Sequence, residues 1–232
     1  MTPDKPVTIA VMVAGVILSL ILRRQYAIIP LAVVICAYPS NLLLPPDKLG
    51  FTAQRVIAMA LLARCVFTAE IRSAFRWGWV DRVAVIYFLL LAVSQALTTS
   101  PIEAINNRAG FFMSAMAPFW CVRMLVTDRA ALYSLLKGFL WPAIPLAILG
   151  VHFMVSGKSP YYSIMQYGLF FEKIRGYEQR LFMGQMYFRA HAPFLQCIMF
   201  GWFFALWFTP ATNLYFEKRK LTWWIVPWCF LP

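Results

Sequence analysis

Charge is scarce in this chain. Asp, Glu, Lys and Arg make up 13% of its 232 residues, against about 25% in soluble domains. Acidic residues are the scarcest part of that, 9 against 21 Lys and Arg, for a formal charge of +12. The two histidines, His152 and His191, lie 39 positions apart (191 − 152), and no DxD, HExxH or Cys/His cluster occurs. A protein-bound catalytic metal is therefore not expected, and no cofactor is expected either. The five cysteines, Cys36, Cys65, Cys121, Cys197 and Cys229, are odd in number, have no CxxC spacing and sit in or beside apolar runs. That pattern excludes a disulfide framework and points to structural thiols. The cations form no basic block, so the positive balance does not imply nucleic acid. They fall between apolar runs, where they read as topology signals and contacts to anionic membrane lipids.

What the chain has instead is apolar surface. Hydrophobic residues reach 62%, against about 45–50% in soluble domains, and the mean hydropathy is +0.69. A water-soluble fold of this size has nowhere to hide so much apolar area, and lipid removes the need to. The expectation is an all-α polytopic membrane protein of seven or eight spans, the whole of 1–232 forming one integral membrane domain. Candidate spans are 7–22, 26–44, 52–69, 79–97, 111–126, 132–155, 194–209 and 221–232. The last is too short to cross roughly 30 Å of hydrocarbon, which predicts either a truncated product or a segment that only dips into the bilayer. The first two, separated by Arg23-Arg24-Gln25, also fit a shallow hairpin. Arg23-Arg24 after Val7–Leu22, without a small-residue cleavage site, predicts a retained anchor.

Counting cations between spans orients the chain. With the N-terminus outside, twelve Lys and Arg fall inside, among them Arg23, Arg24, Arg64 and Arg123; of the nine outside, five belong to one loop, 156–192. That loop, on the periplasmic side, is the long extramembrane segment. Its residues Ile164, Tyr167, Phe171, Ile174, Tyr177 and Leu181 make a helical stripe that would lie flat at the interface, while Gly168 and Gly176 make two shorter pieces as good a solution. Pro118 in the fifth span, and Pro142 and Pro145 in the sixth, predict kinks, beside a cavity or simply packed against neighbours.

Gly157-Lys158-Ser159 looks like the end of a phosphate loop but fails the spacing, since six residues rather than four separate it from Gly150. Arg189 and His191 stand just before the seventh span. Arg189 either snorkels to headgroups or holds a phosphate of a lipid-linked substrate through its planar fork. His191 relays a proton near neutral pH or merely bonds at the interface. His152 reads as a polar residue packed against a neighbouring helix.

Three pieces resemble the bacterial O-antigen ligase and polymerase family. They are Val80-Asp81-Arg82 with Thr98-Thr99-Ser100-Pro101, a turn holding Arg108 and Arg123–Leu132; Ser156–Tyr161; and Arg189-Ala190-His191-Ala192-Pro193-Phe194 with Gly201. Ala192 replaces a usual glycine, and Gln196-Cys197 a usual His-Pro. The resemblance covers about residues 50–210 and implies a metal-independent transferase of the bacterial cytoplasmic (inner) membrane, active at its outer face. Such an enzyme moves an oligosaccharide from undecaprenyl diphosphate to a hydroxyl acceptor in surface polysaccharide biosynthesis. It implies Arg189 and His191 as catalytic, Arg180, Arg175 and Lys158 as substrate-binding, and 194–232 as the start of the ligase-like core, cut short. A transporter for an anionic substrate, threaded through the kinked fifth and sixth spans, or an inactive fragment, are the alternatives.

Overall fold

Most of the apolar runs are helices, and what sets their ends is local chemistry. The computed structural model describes residues 4–38, 51–156, 179–182, 185–188 and 212. Helix α1 is Asp4–Ile21, followed by a 3-10 turn at Arg24–Tyr26 and by α2, Ile29–Ala37. Helix α3, Ala53–Phe67, starts where the Thr52 hydroxyl accepts from the Arg55 N–H, and it stops at Thr68, whose backbone is extended. A short α4, Ala69–Ala74, follows. Helix α5, Trp79–Thr98, begins at Gly78, whose N–H donates to Asp81 Oδ2 at 2.8 Å.

The fifth apolar run begins ten residues earlier than its hydropathy indicates. Ser100 caps α6, Pro101–Phe111, by accepting from the Glu103 N–H, and Pro101 supplies the preset backbone of a first turn. Arg108, expected in a turn, is therefore helical. The helix continues through a π turn, Phe112–Met116, into α7, Ala117–Leu125. Pro118 explains that turn: its ring cannot sit against an α-helical carbonyl four residues back, and the wider turn makes room. Helix α8, Arg129–Ser156, is the longest, with Pro142 and Pro145 inside it. Its N-terminus is capped by Asp128, which accepts from the Ala131 N–H at 2.7 Å.

By its contacts the chain divides into two units, 9–31 with 42–135, and 1–8 with 32–41 and 136–232. In the first, α3 packs against α7, the π turn and α4, and α5 packs against α6. Ala53, Ile57, Ala58, Leu61 and Cys65 form the buried face of α3, and Cys121 Sγ on α7 donates to the Ala58 carbonyl at 3.7 Å. Gly15 lets α1 approach α3, since a Cβ there would lie 2.3 Å from Ile57 Cδ1. Aromatic rings of α5, α6, the π turn and α7 meet in a chain from Phe111 through Phe88 and Phe112 to Trp120. In the second unit the Thr8 and Tyr38 hydroxyls are 2.8 Å apart, and an antiparallel hairpin pairs β1, Gln179–Phe182, with β2, Gln185–Phe188.

That hairpin corrects the expected interfacial helix over its described part. Gln179, Arg180 and Leu181 lie in a strand. The register pairs Gln179 with Phe188 and Phe182 with Gln185. The rest of that stripe, and the seventh and eighth spans, lie outside the described residues.

Two described helices, Trp79–Thr98 and Arg129–Ser156, are long and apolar enough to cross a membrane. The first two runs form shorter apolar helices, Pro6–Ile21 and Arg24–Ala37. Helix α5 buries almost none of its side chains: Ile86, Tyr87, Leu89, Leu90 and Val93 are all more than half exposed, and Leu97 is 83% exposed.

Candidate functional site

Polar side chains in the unit 9–31 with 42–135 gather at two ends of the helices. On α3, Arg55 and Arg64 are nine residues apart, about 13 Å at 1.5 Å per residue. The long-range bonds they make separate accordingly.

One end holds Arg64, Arg24 and Arg123. Arg64 Nη1 donates to the Ser19 carbonyl at the end of α1. Arg24 Nη2 donates to the Met124 carbonyl at 2.9 Å, closing the 3-10 turn onto the end of α7. Arg123 grips Asp81 with two bonds, Nε to Oδ1 at 3.1 Å and Nη2 to Oδ2 at 2.8 Å. Asp81 has no exposed side-chain surface, whereas 39% of the Arg123 side chain is exposed. With the Gly78 N–H also donating to it, the carboxylate is fully engaged. Beside this pair lies an open cleft of about 280 Å³ formed by Arg23, Arg24, Gln25, Leu125, Thr127, Asp128 and Ala131.

The other end holds Arg55 and Arg108. Arg55 Nε donates to Ser114 Oγ of the π turn at 2.8 Å. Its guanidinium fills the space a side chain would take at Gly110, where a Cβ would lie 3.3 Å from Nη2. Arg108 Nε donates to Gln95 Oε1 of α5, and its guanidinium carbon stands 5.6 Å from the Phe111 ring centroid. Arg108 Nη1 is buried without a hydrogen-bond partner. Both guanidiniums thus lie at the last turn of α6, Arg55 against Gly110 and Arg108 against Phe111, and Arg108 has one donor without a partner. Such an arrangement suits a planar or tetrahedral oxyanion, because a guanidinium keeps its charge and presents paired N–H groups.

Of the residues the sequence singled out, Lys158, Arg175, Arg189 and His191 lie outside the described residues, and Arg180 is placed only by its backbone, in β1 opposite Tyr187. That set therefore lies outside what the described side chains cover. His152, expected to be packed, is exposed, and its carbonyl accepts from Ser156 Oγ at 2.7 Å. Ser114 is engaged by Arg55, and Lys137 is exposed. The described thiols, Cys36, Cys65 and Cys121, are buried and free. No group of three or more potential metal ligands occurs among the described residues.

Sequence reasoning missed Arg55 and Arg108. The available signal was an arginine beside or within an apolar run, which is costly there unless it has partners or a task.

These features define a class: an α-helical protein with two membrane-length helices and arginines clustered at both ends of a helical unit. Comparison with known proteins finds no matching family model, no matching curated protein and no matching solved structure.

Proposed function

We propose that the chain is a multi-pass protein of the bacterial cytoplasmic membrane that binds a lipid-linked glycan by its diphosphate at the outer face and takes part in its transfer to a hydroxyl acceptor, as O-antigen ligase-like proteins do. The supporting observation is Arg108, whose buried Nη1–H lacks a partner, while Arg55 reaches the same turn of α6 at Gly110. Both arginines fall on the outer side of the topology drawn from the cation count, and Arg24, Arg64 and Arg123, clustered at the opposite end, fall on the inner side. The membrane itself is supported by α5, whose large exposed apolar side chains are a liability in water and normal in lipid.

In this reading the acceptor oxygen attacks the anomeric carbon as the bond from that carbon to the diphosphate oxygen breaks. The diphosphate leaves with its electron pair, and the arginines hold the charge that develops on it. The acceptor proton goes to a base, for which His191 is the candidate. Arg189 joins the diphosphate contact, with Arg180, Arg175 and Lys158 along the same loop. No metal or nucleotide enters the step.

The experiment is binding of an undecaprenyl-diphosphate oligosaccharide to the chain in nanodiscs, followed by analysis of glycan products. Arg108→Gln and Arg189→Gln should each weaken donor binding by about tenfold or more, the loss of a charge-assisted hydrogen bond. Equal donor affinity in all three proteins rejects the reading. A transporter for an anion shares the outer arginines, and it would move donor or phosphate across proteoliposomes without forming a glycosidic bond.

A further inference from the structure

The geometry points to a second anion site, for a phosphate-bearing group, in the cleft formed by Arg23, Arg24, Gln25, Thr127, Asp128 and Ala131, at the end of the helices opposite Arg55 and Arg108. It stands independently of the sugar-transfer reading, because no residue of that reading takes part in it. The cleft holds about 280 Å³, enough for a phosphate with its ester substituents. Arg24 is fixed by one nitrogen only: Nη2 donates to the Met124 carbonyl at 2.9 Å, and Nε is buried without a partner. A buried guanidinium N–H with no acceptor is costly, and an oxyanion removes that cost.

Arg23 is exposed and precedes it directly, so two successive arginines line one cleft. Gln25 and Thr127 add neutral donors at its rim. The lining carries two arginines against one aspartate, a formal balance of +1, and one oxygen of that aspartate is already engaged by the Ala131 N–H. The end of α8 is therefore capped from within the chain, and the arginines are what the cleft offers a ligand. Arg123 is not part of the lining, and Asp81 engages its Nε and Nη2 and balances its charge.

Two sources present this chemistry, the headgroup of an anionic phospholipid and free inorganic phosphate. The test uses the full chain in detergent micelles, with native mass spectrometry reading bound phosphatidylglycerol against phosphatidylcholine, with and without inorganic phosphate. Wild type should retain phosphatidylglycerol over phosphatidylcholine. Arg23→Gln and Arg24→Lys should each reduce that retention about tenfold, and Arg82→Gln, an exposed cation outside the cleft, should leave it unchanged. Arg23→Gln leaves the Met124 contact intact and so decides the matter even where Arg24→Lys fails to fold. Displacement of the lipid by millimolar phosphate identifies free phosphate as a ligand of the cleft, and resistance to it identifies the headgroup; both support the site. Equal retention in wild type and Arg23→Gln, with no effect of phosphate, overturns it, as does an equal loss in Arg82→Gln.

Discussion

Arg123 and Arg24 are neighbours at one end of the same helical unit and are used in opposite ways. Arg123 is closed off: it meets the buried Asp81 through two bonds, and the Gly78 N–H completes that carboxylate. Arg24 is left open: one nitrogen holds a backbone carbonyl, another is buried and unpaired, and the guanidinium faces a cleft. The difference shows how an arginine acquires a structural or a binding role. The closed pair fixes α5 to α7 and balances the charge of Arg123 within the chain. The open one contributes less to the fold and keeps a donor in reserve.

The largest effect should come from breaking the closed pair. Asp81→Asn leaves Arg123 without its carboxylate, and the expected cost is about 2–3 kcal/mol, below the roughly 3–5 kcal/mol of a fully buried pair because the Arg123 side chain is 39% exposed. A thiol-reactive dye in detergent reads this as an earlier thermal midpoint, since Cys36, Cys65 and Cys121 are buried until unfolding. Arg24→Lys, by contrast, should cost under about 1 kcal/mol, one hydrogen bond weakened rather than lost. Equal midpoints for the two variants would erase the distinction between closed and open.

A smaller effect should come from the seam that positions the open end. Gly15→Ala places a Cβ against Ile57, and overpacking of this kind costs about 1–3 kcal/mol. Ile57→Val removes the Cδ1 atom that the new Cβ would meet at 2.3 Å. The double variant should therefore recover most of the loss, a coupling that two independent defects would not show. The smallest should be Ser114→Ala, which removes the acceptor of Arg55 Nε at an exposed position. We expect about 0.5–1 kcal/mol, with hydrogen exchange rising in the π turn more than in α3. A larger rise in α3 would mean that Arg55 holds that helix rather than the turn.

The helices were legible where chemistry is local. Thr52, Asp81 and Asp128 mark their own helix starts, and the apolar runs at 79–97 and 132–155 sit within the two membrane-length helices. Helix α6 was misjudged because Glu103, Asn106, Asn107 and Arg108 lower its hydropathy, although Ser100-Pro101 with Glu103 announces a start. The stripe ending at Leu181 matches helical spacing, but the pairing of 179–182 with 185–188 makes its described end a hairpin. None of the five residues proposed for the outer loop is placed beside another by the described structure. The arginine clusters were hidden for a different reason: their hydrogen-bond partners lie 13 to 100 positions away.

Sequence alone determined that this chain is helical and apolar, where most of its helices start, and that its cations lie between hydrophobic runs. Those properties depend on side chains a few residues apart and on composition. Tertiary structure decided which arginine is neutralised and which is left with a free donor, because that turns on whether a distant carboxylate or carbonyl arrives within about 3 Å. No spacing along a single helix encodes that arrival; the packing of α3, α5 and α7 does.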